Sequence, residues 1–218
     1  MKSAIALAAL VVVASPSFAA EARFPKGAWS VGAGGGVAFL RMGDVNEQIR
    51  TLNGSTGSLF EELNHGGEWM GAVRYALDDR FFVGLEAGGI SAHSKDPVSG
   101  RELGARGTPA LAQVGIQIDA SDDVALRALG GLGALVNASF EERDAGPTGA
   151  SLGRVSGTAP LAYAGAEVEV RMSGGLGITA QAILRAALLQ HPSNAPYDVD
   201  FSGGAARGGV QWTFGGSR

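Results

Sequence analysis

The sequence predicts an all-β fold: an eight-stranded antiparallel, up-and-down transmembrane β-barrel with both termini on the periplasmic side. Three observations predict it. From Glu68 to Leu77 the residues alternate in character, and the same two-residue rhythm recurs in about eight segments. Charged residues in these segments keep to one parity. The other parity carries Trp69, Val73, Tyr75 and Leu77, then Phe81, Val83 and Leu85, then Val124, Leu126, Leu132 and Val136. Side chains of a strand point alternately to its two faces, so each segment has one apolar face and one face dotted with Arg, Glu and Gln. A membrane barrel turns the apolar face to lipid and the polar face to its lumen. The second observation is that the connections alternate between short and long, and the third is that the chain opens with an export signal.

That signal is the first element. Met1-Lys2 is followed by an apolar stretch over 4–14 and by Ser15-Pro16-Ser17-Phe18-Ala19-Ala20. A basic start, a short apolar centre and small residues at the end describe a secretory signal peptide. Its apolar stretch is about half of the ~20 residues that a spanning helix requires. Residues 1–20 are therefore read as a cleaved signal peptide and 21–218 as the barrel domain, with Ala20, Glu21 or, after an alternative cut, Arg23 opening the mature chain.

Strands are expected near 28–40, 68–77, 80–91, 109–118, 124–138, 157–171, 176–189 and 199–214. The long connections span 41–67, 92–108, 139–156 and 190–198, and the short ones 78–79, 119–123 and 172–175. Outer-membrane barrels have an even strand number, short periplasmic turns and longer outer loops, which puts both termini in the periplasm. Asp78-Asp79, Ser121-Asp122-Asp123 and Ser173-Gly174-Gly175 supply residues that bond their own backbone or accept positive φ. In the first long connection, Val45, Ile49 and Leu52, followed by Leu59, Phe60 and Leu63, have partial helical spacing. Either a short amphipathic helix caps the barrel mouth there, or the loop folds over on its own apolar side chains.

Composition narrows the function classes. The chain has 218 residues with 35 glycines, 8 prolines, three histidines, no cysteine and a net charge of −4. Disulfides are excluded, the usual closed zinc site is disfavoured, and no basic surface for nucleic acid is indicated. No metal or other cofactor is expected. A soluble barrel or sandwich would also alternate, with its apolar parity turned to the core. The export signal argues against it, as do the aromatics toward the ends of the outward parity: Trp29, Phe39, Trp69, Tyr75, Phe81, Trp212 and Phe214.

The inward parity assigns Glu68, Arg74, Glu86, Arg127, Glu167, Glu169, Arg171, Arg185 and Arg207 to the lumen, together with Gln113, Gln117 and Gln181. Every cation among them is arginine. A guanidinium bridges two carboxylates with fixed geometry, so this set suits an interlocked ion-pair network centred on Arg74, Glu86, Arg127, Glu167, Arg185 and Arg207. Eight strands enclose a space that side chains roughly fill, which makes a plug the first expectation; a narrow path for ions or small solutes lined by the same charges is the alternative.

Two short motifs carry resemblances. Arg207, Gly209, Trp212 and Phe214 occupy the places of a polar residue, a glycine and two spaced aromatics. This resembles the terminal insertion signal of outer-membrane barrels, although four residues follow Phe214. His191-Pro192-Ser193-Asn194 is similar to a motif of outer-membrane lipid A deacylases, whose His and Ser belong to a hydrolytic triad. Here the carboxylate expected further along is missing, and only Asp198 and Asp200 are near. A base beside a nucleophile and a carboxylate is what acyl hydrolysis needs. The whole chain resembles small barrels of the OmpA and OmpX type. That resemblance implies a protein of the Gram-negative cell outer membrane, in contact with lipid and lipopolysaccharide and inserted by the barrel-assembly machinery. No second domain is expected after Phe214. A structural or surface-interaction role through the long loops is expected, with an unnamed extracellular ligand. The alternatives are a narrow channel and a lipid A ester hydrolase using His191 and Ser193.

Overall fold

In the computed structural model, residues 25–121, 123–143, 151–192 and 195–216 are described. The signal peptide expected over 1–20 lies outside them, as do Ser193 and Asn194. The elements are β1 (Ala28–Leu40), α1 (Gly43–Thr56), β2 (His65–Ala76), β3 (Phe81–Lys95), β4 (Glu102–Ala120), β5 (Val124–Arg143), β6 (Ser151–Arg171), β7 (Leu176–Ala186), the short β8 (Leu188–Leu189) and β9 (Val199–Asp200), and β10 (Gly203–Gly215). The eight long strands close into a barrel in the order β1-β10-β7-β6-β5-β4-β3-β2, every neighbouring pair antiparallel. Long neighbours in the sequence are neighbours in the sheet, and β1 pairs with β10 to remove both edges. This is the eight-stranded up-and-down barrel that the alternation predicts.

The two faces differ in the expected way. Leu85, Leu132, Leu184, Val114 and Ile178 stand outward with more than half of their surface exposed, whereas Arg127 and Glu167 point inward with none exposed. Aromatics gather at the short-turn end of the outer face, where Trp29 lies 5.0 Å from Tyr75 and Trp212 lies 4.9 Å from Phe214. Phe39 and Trp69 stand exposed toward the opposite end.

Four strands, β3 to β6, run well beyond the extents that the alternation predicts, and β2 begins slightly earlier, at His65. The β3–β4 ladder continues to Lys95 opposite Glu102, and the β5–β6 ladder to Arg143 opposite Ser151, well beyond the last pairs of β2 with β3 and of β6 with β7. Residues 102–108 and 139–143 are strand rather than loop. The reason is an inversion of polarity. Where these strands leave the apolar belt, charge moves to the outer face (Lys95, Glu102, Arg106) while Leu103 and Ala105 become buried inside. A rule that one parity stays uncharged ends the strand at the inversion. In β5 the inversion coincides with a β-bulge: Leu135 opposes Ala159, Ala138 opposes Gly157, and Asn137 between them takes a left-handed φ of 52°. The extra residue shifts the parity so that Phe140 turns inward and Glu141 outward.

Apolar side chains pack across the long-loop end. In α1, Val45 and Ile49 are buried with Met42, Phe60 and Leu63 against Leu40, Ile90 and Leu103 of the barrel. The helix ends where Gly57, at φ 71°, donates its N–H to the Asn53 carbonyl at 3.0 Å. The chain then folds back. Asn53 exchanges hydrogen bonds with the Phe60 backbone at 2.9 and 3.1 Å, and Asn46 accepts the Leu63 N–H at 2.8 Å. Both forms expected for this connection are thus present, a helix and a folded-over return. The last long connection departs from expectation as well. The strands expected at 176–189 and 199–214 break at Ala187 and at 201–202, and β8 and β9 form a small ladder that sets Leu189, Val199 and Phe201 into the same cluster.

Candidate functional site

Alternation along seven strands aims one set of polar side chains at the barrel axis. Glu68 and Arg74 come from β2, Glu86 from β3, Gln113 from β4, Arg127 from β5, Tyr163, Glu167 and Glu169 from β6, Gln181 and Arg185 from β7, and Arg207 and Gln211 from β10. β1 contributes no charge, because its inward residues in the middle are Gly32, Gly34 and Gly36. A Cβ at Gly36 would collide with the Ala206 carbonyl of β10, so glycine lets the closing pair of strands approach closely.

The lower part of the network centres on Glu167. Both terminal nitrogens of Arg74 donate to its carboxylate at 2.8 Å, Arg127 donates at 2.7 Å, and the Gln181 amide at 2.6 Å. Arg127 also binds Glu169, and Arg171 reaches the same carboxylate at 3.4 Å toward the short-turn end. In the upper part, Glu68 accepts from Arg185 at 2.7 Å and from Arg207, which in turn donates to Glu86 at 2.8 Å. Neutral side chains join the two parts. Gln113 accepts from the Arg74 Nε at 2.8 Å and donates to Glu86 at 3.0 Å, Tyr163 donates to Glu86 at 3.2 Å, and Gln211 accepts from Arg74 at 3.0 Å. The Phe82 ring lies 5.1 Å from the Arg74 guanidinium carbon and 5.9 Å from that of Arg127, so both cations face an aromatic surface. At the top, Arg185 donates to the Phe201 carbonyl at 3.1 Å, tying the polar network to the apolar cluster.

All of the inward charges named from the sequence face this lumen. Gln117 joins only at the rim, accepting from Arg171 at 3.3 Å. Tyr163, Gln211 and Phe82 were not singled out by composition or charge, although their inward parity marks them. A cavity of about 30 Å³ lies beside the β1 glycines, lined by Arg74, Glu86, Glu167, Gln181, Arg207 and Gln211. That is room for about two water molecules. The lumen therefore holds a salt-bridge network with little free space.

The other sequence candidates separate. His191 Nδ1 lies 3.3 Å from Asp198, but the same carboxylate oxygen accepts the His191 backbone N–H at 2.9 Å, which makes it a turn contact. Asp200 accepts the Ser202 N–H at 2.8 Å. Ser193 lies outside the described residues, so no nucleophile is assigned. In the terminal segment, Arg207 points inward while Trp212 and Phe214 stand exposed on the outer face.

The solved structure of Ail, the attachment invasion locus protein of Yersinia pestis, in complex with the heparin analogue sucrose octasulfate, superposes with a TM-score of 0.53. The match covers 87% of this chain and 99% of that one at 14% identity. The likeness is one of fold. The N-terminal β-barrel domain of Pseudomonas aeruginosa OprF (TM-score 0.47, 12% identity, 87% and 99% coverage) and OprG of the same organism (0.44, 12%, 88% and 98%) also match. No protein-family profile and no curated protein sequence matches the chain. The similarity of His191 to Asn194 to lipid A deacylases gains no support from these comparisons.

Proposed function

We propose that this chain is a closed, non-conducting barrel of the Gram-negative outer membrane, exported by the signal over 1–20 and acting as a structural or surface-interaction protein through its long-loop end. The observation that carries this reading is the inversion of the usual arrangement. Aliphatic and aromatic side chains are exposed around the wall, while five arginines and four glutamates are interlocked inside. Only a surrounding lipid phase makes such an outer face favourable. The short turns and both termini then lie in the periplasm. Arg207, Gly209, Trp212 and Phe214 form the signal read by the barrel-assembly machinery, and outer-membrane lipid and lipopolysaccharide surround the wall.

Two experiments test the reading. Intact-mass analysis of the native protein from the outer-membrane fraction is expected to find Ala20, Glu21 or Arg23 at the amino terminus, and a product retaining Met1 refutes export. Planar-bilayer recording is expected to show no steady current for the wild type and a leak for Glu86→Gln. Large steady wild-type currents would replace the plug with the narrow-channel reading.

A further inference from the structure

We propose that the outer wall carries a binding site for the phosphate of a phosphorylated glycolipid, in a groove between Trp69, Arg106 and Arg154. The inference rests on the outer-membrane reading and names one partner of the wall. The groove measures about 540 Å³ and opens sideways on the outer surface, where β2 to β6 run past the Asn137 bulge. Its size lies in the range of small-molecule sites, roughly 300–1,000 Å³.

The bulge makes the site. Below it the outward residues of β5 are Leu132, Ala134 and Val136; above it they are Ser139, Glu141 and Arg143. The outward face of β4 makes the same change between Ala110 and Arg106, and Arg154 of β6 lies opposite Glu141 in the ladder. Arg106 and Arg154 thus stand on one wall at the upper boundary of the apolar belt. Glu141 lies 3.5 Å from Arg106, touches Arg143 and stands opposite Arg154 in the ladder, while Glu102, opposite Arg143, is paired with Lys95, so the cations of this wall outnumber its carboxylates. This local positive excess occurs on a chain whose net charge is −4. Thr108 and Asn137 add a hydroxyl and an amide between the cations.

The lower side of the groove has the opposite character. Trp69 is 64% exposed and its indole lies across Gly89, where a Cβ would meet the ring. A ligand that satisfies both sides is an amphiphile with an anionic, hydroxyl-bearing head and an apolar body. Arg106 and Arg154 donate charge-assisted hydrogen bonds to a phosphate monoester, Thr108 and Asn137 meet sugar hydroxyls, and Trp69 lies along acyl chain. Since the groove is at the long-loop end, the lipid is one of the outer leaflet.

The test is native mass spectrometry of the full mature chain folded in lipid nanodiscs and released with four probes: bisphosphorylated lipid A, the same lipid after enzymatic dephosphorylation, phosphatidylglycerol, and inorganic phosphate as competitor. Wild type and Arg101→Gln, whose arginine pairs with Glu142 outside the groove, are expected to retain bisphosphorylated lipid A about tenfold over the dephosphorylated form, as two charge-assisted contacts imply. Arg106→Gln/Arg154→Gln is expected to lose that preference while keeping the heat-dependent gel shift of a folded barrel. Equal preference in the double variant overturns the site. So does equal retention of phosphatidylglycerol or of dephosphorylated lipid A, and displacement by millimolar inorganic phosphate makes it a site for free phosphate. A chain that never acquires the gel shift in bilayers would instead refute the outer-membrane reading itself.

Discussion

Glu167 accepts hydrogen bonds from three side chains on three other strands and has no exposed surface of its own. Glu167→Gln preserves its volume but leaves the Arg74 and Arg127 guanidiniums without the carboxylate they share. Breaking a buried pair from one side costs on the order of 3 to 5 kcal/mol, so the variant is expected to unfold at markedly lower urea in lipid vesicles. Glu62→Gln is the contrasting case. Its 2.6 Å pair with Arg50 lies at the surface, with 61% and 40% of the two side chains exposed, and its midpoint should not move. Asp78 behaves differently because its partners are backbone groups. The N–H groups of Phe81 and Arg80, at 2.7 and 2.8 Å, hold its carboxyl below the usual carboxylate range. A depressed folded value means that the unfolded chain takes up the proton first, so this stabilisation is complete above the ordinary carboxylate range and fades as pH falls through the folded value. Asp78→Asn should therefore be less stable than wild type at neutral pH and converge with it in strong acid, as read from unfolding midpoints. Parity alone located the inward charges, because an Arg on a lipid-facing position is costly enough to be selected against. It could not reveal which ones meet: Arg74 reaches Gln211 across 137 residues, and only closure of the sheet brings them together.

A strand of this wall is constrained on both faces, and β3 shows how. Val83 faces outward, where an arginine near the bilayer centre costs about 2 to 4 kcal/mol, so Val83→Arg should strongly depress folding in vesicles. Gly84 faces inward, yet polarity does not make it permissive. A Cβ there would lie 2.5 Å from the Val73 carbonyl and 3.1 Å from Arg74 Cγ, so Gly84→Ser is expected to destabilise the same ladder. The Asn137 bulge in β5 has its own signature. Glycine accepts its left-handed φ and a β-branched residue does not. Asn137→Gly should keep the upper hairpin protected from hydrogen exchange, whereas Asn137→Val or deletion of the residue should release it. Extents of this kind were only partly legible in the sequence. β1 matches its alternation from Ala28 to Leu40 because apolar and small residues continue to its end. In β4 the outward Arg106 looks like the end of a membrane strand, although it marks only the end of the apolar belt.

The whole molecule is a tube with unlike ends, and its orientation can be measured because the chain has no cysteine. Val98, 76% exposed in the β3–β4 connection, should be labelled as Val98→Cys by a membrane-impermeant maleimide on intact cells, and Asp79→Cys only after the outer membrane is opened. The reverse pattern would turn the barrel over. Closure itself was legible, since an even number of strands with alternating connections leaves no edge exposed to lipid. The β8–β9 flap was not, because residues 187–192 and 195–202 fold against α1 and the barrel mouth and carry no period of their own.

The closing seam also determines the order in which such a molecule can become complete. Arg207 lies on the last strand, yet its carboxylates are Glu68 and Glu86 on β2 and β3, 139 and 121 residues away. Until β10 docks against β1, those two glutamates border an unfinished lumen and lack the cation that bridges them. The final ladder and the upper half of the ion network therefore form in one event. A barrel arrested before that step leaves Glu86 without Arg207 and Glu68 with Arg185 alone, so partly zipped forms are penalised relative to the finished one. The last strand thus acts as a proofreading step for assembly, one that a chain cut short before Gly203 cannot pass.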